Sequence, residues 1–149
     1  MISIQQVMTA DHRKCDQFYV SAEAAVAKKN WDAAQQQLSV FIENLLAHFN
    51  HEENILFPAF EDASGMRHGP TEMMRHEHDQ MKSLLIELEI SLKNKNQDRY
   101  IGLSETLMIF MQQHNMKEEQ ILYPMIDSDC SDRAEELTQN ILSKDICEA

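Results

Sequence analysis

The sequence predicts an all-α protein: an up-down-up-down antiparallel four-helix bundle made from one helical hairpin present twice, with a short helix added at the C-terminus. Three observations carry this reading. Only three Gly and three Pro occur in 149 residues, while Ala, Leu, Met, Gln, Glu and Lys, which lose little on entering a helix, are plentiful. Apolar residues recur at steps of three and four along four separate stretches. The chain also matches itself at an offset of 66 residues: Asp11-His12 falls on Glu77-His78, His48 on His114, Glu52-Glu53 on Glu118-Glu119, and Ile55-Leu56-Phe57-Pro58 on Ile121-Leu122-Tyr123-Pro124.

The elements follow in order. His12, Cys15, Tyr19, Ala22 and Val26 form the inward stripe of a first helix, which the polar turn Lys28-Lys29-Asn30 ends. A second helix carries Leu38, Phe41, Leu45, His48, Glu52 and Ile55, and Pro58 predicts a kink or an end because it lacks an N–H and crowds the preceding turn. Residues 61–70, with Ser64-Gly65 and Gly69-Pro70, join the halves, and Pro70 suits the first turn of the third helix. That helix presents His78, Met81, Leu85, Leu88 and Leu92. After the turn at residues 94–98, a fourth helix presents Leu107, Met111, His114, Glu118 and Ile121, with Pro124 in the place of Pro58. Asp127-Ser128-Asp129 is expected to break the pattern, and a short helix over about 132–143 to pack as an appendage. The whole chain, 1–149, reads as one domain with its core over about 3–126 and an appendage over 127–149.

Composition narrows the function. A net charge of −12 argues against a nucleic-acid partner, which needs a basic face. No basic and apolar leader and no apolar run of membrane-spanning length is present. The odd cysteine count, Cys15, Cys130 and Cys147 without a CxxC pair, suits thiols in a reducing cytoplasm. Nothing in the sequence provides a nucleophile elbow or a phosphate loop, so catalytic turnover is left open.

Each inward stripe is interrupted by His or Glu at matched positions. The separation from His12 to His48 is 36 residues, as is that from His78 to His114, and both midpoints, Asn30 and Asn96, lie in the predicted turns. In an antiparallel hairpin this sets the two His of each half side by side, about 27 Å from the turn. Glu52 and Glu118 each follow a His by four residues and share its helix face. Two carboxylates buried without Lys or Arg partners are costly unless a cation joins them. Four imidazoles and two carboxylates suit two ions of Fe, Mn or Zn rather than Mg or Ca, and a closed structural zinc site prefers four ligands, usually with Cys.

These residues resemble the hemerythrin-like, or HHE cation-binding, family. The resemblance rests on Asp11-His12, His48 to Pro58, Gly69-Pro70 with Glu77-His78, and His114 to Pro124, spanning about residues 8–126. It implies two iron ions with an oxo or hydroxo bridge, one held by His12 and His48 and the other by His78 and His114, with Glu52 and Glu118 bridging. Oxygen-carrying hemerythrins have a fifth His one turn before the third-helix ligand, where this chain has Met74, and Met8 is its repeat partner. The four-His, two-Glu set is closer to relatives that repair or sense iron centres under nitrosative and oxidative stress. The resemblance therefore points to a cytoplasmic di-iron protein that binds or senses a small diatomic ligand, oxygen or nitric oxide. The alternatives are a di-iron redox enzyme acting on peroxide, nitric oxide or ferrous iron, and a module whose metal is structural. Glu53 and Glu119 are expected either beside the ligands or on the surface, His51, His68 and His76 on the surface, and Tyr19 and Tyr123 in core packing.

Overall fold

A computed structural model describes residues 2–148, with side chains through residue 143. Cys147 and its expected thiol therefore lie outside the described side chains. The chain runs α1 (Ile4–Ala27), α2 (Trp31–His51), a π-helical turn (Glu52–Leu56), α3 (Phe57–Ser64), α4 (Pro70–Lys93), α5 (Gln97–Lys117), a second π-helical turn (Glu118–Leu122), α6 (Tyr123–Asp129) and α7 (Ala134–Glu148). α1, α2, α4 and α5 form the up-down-up-down bundle that the sequence predicts.

Local chemistry sets the boundaries. Ser3 and Gln6 form a reciprocal capping box at the start of α1. Asn30 and Asn96, the two midpoint residues, accept from the backbone N–H of Ala33 and Arg99 and start α2 and α5. Lys29 and Lys95 before them adopt left-handed conformations, φ 57° and 52°. Gly65, φ 74°, ends α3, where a residue with a Cβ would be strained. Pro70 opens α4 as expected.

Pro58 and Pro124 neither end nor break their helices. Each sits just after a π turn in which the following N–H reaches back five residues, Phe57 to Glu52 O and Tyr123 to Glu118 O. The wider turn accommodates a ring that cannot donate and that crowds the carbonyl four residues back. It also shifts the phase of the inward stripe by one residue. An uninterrupted α-helix running on from Glu52 and Glu118 turns Ile55 and Ile121 inward. Instead Leu56 and Leu122 are buried, Ile55 is only partly covered and Ile121 is exposed. Helix α6 also continues through Asp127-Ser128-Asp129, so the break falls at residues 130–133. Asp127 caps a neighbouring helix from there. Its carboxylate accepts the N–H of Ile4 at 2.8 Å and of Gln5 at 3.1 Å, closing the positive end of α1.

The apolar interior falls into two clusters. One lies toward the hairpin turns and contains Tyr19, Val26, Leu38, Phe41, Leu88, Tyr100 and Leu107. The other lies toward the open ends, where Ile4, Met8, Leu56, Phe60, Met74, Tyr123 and Ile126 pack with Leu137 and Ile141 of α7. Met74 and Met8 thus fill core volume. Gln97 joins the two hairpin tips by donating to the carbonyls of Val26 and Ala27.

Candidate metal centre

Between the two apolar clusters lies one polar layer. His12 from α1, His48 from α2, His78 from α4 and His114 from α5 are each 3% exposed or less, and Glu52 and Glu118, the first residues of the two π turns, are fully buried. The six residues singled out in the sequence therefore meet. The His12 and His48 ring centroids lie 4.5 Å apart, and those of His78 and His114 5.0 Å apart. Each carboxylate spans both pairs. Glu118 Oε1 lies 3.1 Å from His12 Nε2 and 3.3 Å from His114 Nε2. Glu52 Oε1 lies 3.1 Å from His78 Nε2 and 3.5 Å from His48 Nε2.

A second ring of carboxylates fixes the imidazoles. His48 Nδ1 meets Asp11 at 2.7 Å, His114 Nδ1 meets Glu77 at 2.7 Å, His78 Nδ1 meets Glu53 at 2.6 Å, and His12 Nδ1 meets Glu119 at 2.7 Å. An ionised carboxylate only accepts, so each Nδ1 is the donor and each Nε2 is left to point its lone pair, or a second proton, at the centre. The four bonds obey the repeat: Asp11 and Glu77 act within their own hairpins, Glu53 and Glu119 across to the other. Lys117 Nζ grips the second oxygen of Glu77 at 2.7 Å. Its register partner is His51, which is buried rather than on the surface as the sequence suggested. His68 and His76 are exposed as expected.

Tyr123 is the residue whose role the sequence understated. Its buried hydroxyl lies 2.7 Å from Glu52 Oε2, 3.1 Å from Glu118 Oε1, and 3.2 and 3.3 Å from Nε2 of His12 and His48. The hydroxyl donates toward the two carboxylates and stands within hydrogen-bond reach of both imidazoles. Its repeat partner is Phe57, whose ring is parallel to that of His78 at 5.9 Å, so the two pairs sit in unlike surroundings. Tyr19 stays outside the layer and ties α1 to α5 through Ser104, with Glu23 closing the cluster.

The electrostatics state the same need. Burial and the neighbouring Glu118 carboxylate push Glu52 above the usual carboxylate range, whereas Glu118, against its burial, is held well below it by its bond to Glu52 and by His114. Burial opposes a charge on His114, yet Glu118 wins and raises it to about 9; His12 is raised for the same reason. Both shifts mark a layer whose negative charge favours positive partners. Glu52 Oε1, Glu118 Oε2, His78 Nε2 and His114 Nε2 remain buried without an aligned hydrogen bond, at a cost of about 1–3 kcal/mol for each such group. Two groupings, Glu52-His78-His114-Glu118 and His12-His48-Glu118, each bring their donor atoms within 4.8 Å of one another, and Glu118 belongs to both. Imidazole nitrogen and carboxylate oxygen converging in a buried layer suit a metal ion.

A helical bundle whose paired hairpins bury a His/Glu layer of this kind is a cation-binding four-helix protein. Residues 3–126 match the family described as Hemerythrin HHE cation binding domain, and the chain belongs to it. An uncharacterized hemerythrin-like protein of Schizosaccharomyces pombe is 30% identical over 133 residues, covering 89% of this chain and 63% of that protein. The iron-sulfur cluster repair protein YtfE of Edwardsiella ictaluri is 32% identical over 99 residues, covering 60% of this chain and 44% of that protein. The chain thus spans less than two thirds of the length of either relative. No solved structure gave a significant match. No helix of the described residues is long and apolar enough to cross a membrane.

Proposed function

We propose that the chain is a non-haem di-iron protein that binds or senses a small diatomic ligand, oxygen or nitric oxide, and serves in the handling of iron and of oxidative or nitrosative stress. His12 and His48 would hold one iron and His78 and His114 the other, with Glu52 and Glu118 as the carboxylates shared between them. The observation that carries this reading is the orientation of the four imidazoles. With every Nδ1 tied to a carboxylate, four Nε2 atoms and two carboxylates are turned on one another in a layer that only cations or added protons can neutralise. Two bridged sets of nitrogen and oxygen donors fit iron, and the name of the Edwardsiella relative carries the same element. Bound iron supplies reversible electron exchange and a position for an added ligand.

The chain's own residues supply the rest. Asp11, Glu53, Glu77 and Glu119 raise the basicity of the imidazoles and hold their planes. The apolar clusters above and below exclude water along the bundle axis. Tyr123 holds a proton beside Glu52, and this favours one second reading, redox turnover of peroxide, nitric oxide or ferrous iron at the same centre. Elemental analysis after anaerobic loading with ferrous iron tests the first claim, with two irons per chain expected. The visible spectrum after exposure to oxygen and to nitric oxide tests the second. A protein that takes up zinc alone, or an iron form whose spectrum neither gas changes, sinks the proposal. Steady-state consumption assays separate turnover from stoichiometric binding.

A further inference from the structure

The two hairpins repeat the residues of the layer faithfully but differ in what flanks it. Phe49, 2% exposed, lies flat against the His78 ring with centroids 4.0 Å apart. At the matching position of the repeat stands Asn115, only partly buried. Leu46 is matched by Gln112, and Lys82 by Asp16. The flank that lacks the phenyl ring has a cavity of about 580 Å³ in the cleft between α1 and α5, with Asp16, Gln112, Asn115, Met116 and Glu119 in its wall. Glu119 belongs both to this wall and to the layer, since its carboxylate holds His12 Nδ1 at 2.7 Å. Asp16, nearer the surface, lies within electrostatic reach of Glu119 and of His12. Beyond His12 lie the buried Glu118 and its unpartnered Oε2. Glu119 thus links the cavity wall to the centre through His12.

The charge of this cleft favours one traveller. No cationic side chain is among the described residues of its wall, where two carboxylates and three amides stand beside a valine and three methionine thioethers. An uncharged diatomic gas gains nothing from carboxylates. A hydrated divalent cation does, because such donors can replace its waters one at a time and a negatively lined cleft concentrates it. We propose that the α1–α5 cleft is the port through which divalent metal enters the centre, with Asp16 and Glu119 as transit ligands and the opposite flank closed by Phe49. The inference rests on the two-metal reading given above and adds the route of loading.

The test is the rate at which metal-free protein takes up Co(II), whose visible absorption rises in nitrogen and oxygen coordination. Stopped-flow mixing compares the natural chain with Asp16→Lys, Asn115→Phe and, as the control in register, Lys82→Asp, with total cobalt measured at the end. Asp16→Lys is expected to slow uptake about tenfold at low salt and to approach the natural rate at high salt. Asn115→Phe, which copies the Phe49 plug, is expected to slow it at every salt concentration. Both variants should still finish with two ions, and Lys82→Asp should load at the natural rate. Uptake of two ions at an unchanged rate by the Asp16 and Asn115 variants overturns the port and leaves the metal site standing. Faster loading of Lys82→Asp overturns the one-sided route. A natural chain that takes up no cobalt overturns the two-metal reading itself. Asp16 is exposed, so Asp16→Lys keeps the test decisive should Asn115→Phe fold poorly.

Discussion

Replacing Glu53 by Gln removes one negative charge next to His78 while keeping an acceptor oxygen of the same reach. In the native layer Glu53 Oε2 receives the His78 Nδ1 proton at 2.6 Å, with the carboxylate 27% exposed. The charge draws the proton toward itself and makes Nε2 a better donor to metal. Loss of such a partner typically costs 10–100-fold in metal affinity, or about 1.4–2.8 kcal/mol. Partial exposure places Glu53→Gln near the tenfold end, because solvent already screens part of the charge. Glu119 is 29% exposed and should behave alike, whereas Asp11 at 15% is better shielded, and Asp11→Asn belongs nearer the hundredfold end. The repeat adds a sharper expectation. Glu53→Gln weakens the ion at His78 and His114, and Glu119→Gln the ion at His12 and His48. Each single variant should therefore titrate as one natural and one weakened site. Anaerobic competition of ferrous iron against a chromophoric chelator reads both affinities, with circular dichroism confirming the helices. Three variants with natural affinity at both sites, or an equal loss at both sites from every variant, would refute the argument that these carboxylates act each through its own imidazole.

Three further outcomes follow from the same geometry. All three tyrosines, Tyr19, Tyr100 and Tyr123, are held above the usual phenol range with burial as the leading cause. A folded value raised above an unfolded one of about 10 gives stability that is complete below pH 10 and lost as pH climbs beyond it. Phenolate absorbance near 295 nm should therefore stay flat past pH 10 and rise only together with loss of helical dichroism; a rise near pH 10 in an intact bundle contradicts the burial argument. Asp127→Ala uncaps α1 at Ile4 and Gln5 and should cost about 1–2 kcal/mol in urea unfolding, with an unchanged value counting against the cap. Removal of metal by a chelator should lower the melting temperature, by about 2.7 kcal/mol of lost stabilisation when free metal had stood at 100 times its Kd. Adding the metal back should restore it.

The bundle and the six residues of the layer were legible because the repeat constrains them twice over: spacing alone put His12 level with His48 and His78 level with His114. The ring of outer carboxylates was legible only in part. Glu53 and Glu119 stood out through their repetition, but position around a helix did not show that each reaches across to the other hairpin. Asp11 and Glu77 matched in register without a visible role, since their targets lie 37 residues away. Tyr123 was obscured by the π turn. Extrapolating the α-helical period from Glu118 makes Ile121 the next inward residue, whereas the wider turn buries Leu122 and brings the Tyr123 hydroxyl over the layer. A proline two residues after an apolar pair was the available signal, and it reads equally well as a helix end. His51 reads as a surface residue in the sequence because burial of an imidazole beside the stripe depends on packing that periodicity does not describe.

The division of the apolar interior into two clusters has a consequence for how the molecule holds together. Side-chain cooperation in a bundle spreads through continuous apolar contact, and here a plane of imidazoles and carboxylates interrupts it. Mechanically the chain is two short bundles stacked end to end, sharing four helical struts and welded at the polar plane. With the weld neutralised by cations, both ends should open as one unit. With it stripped, the open-end half, where α1 begins and the linker between hairpins runs, should exchange its amide hydrogens well before the half that carries the hairpin turns.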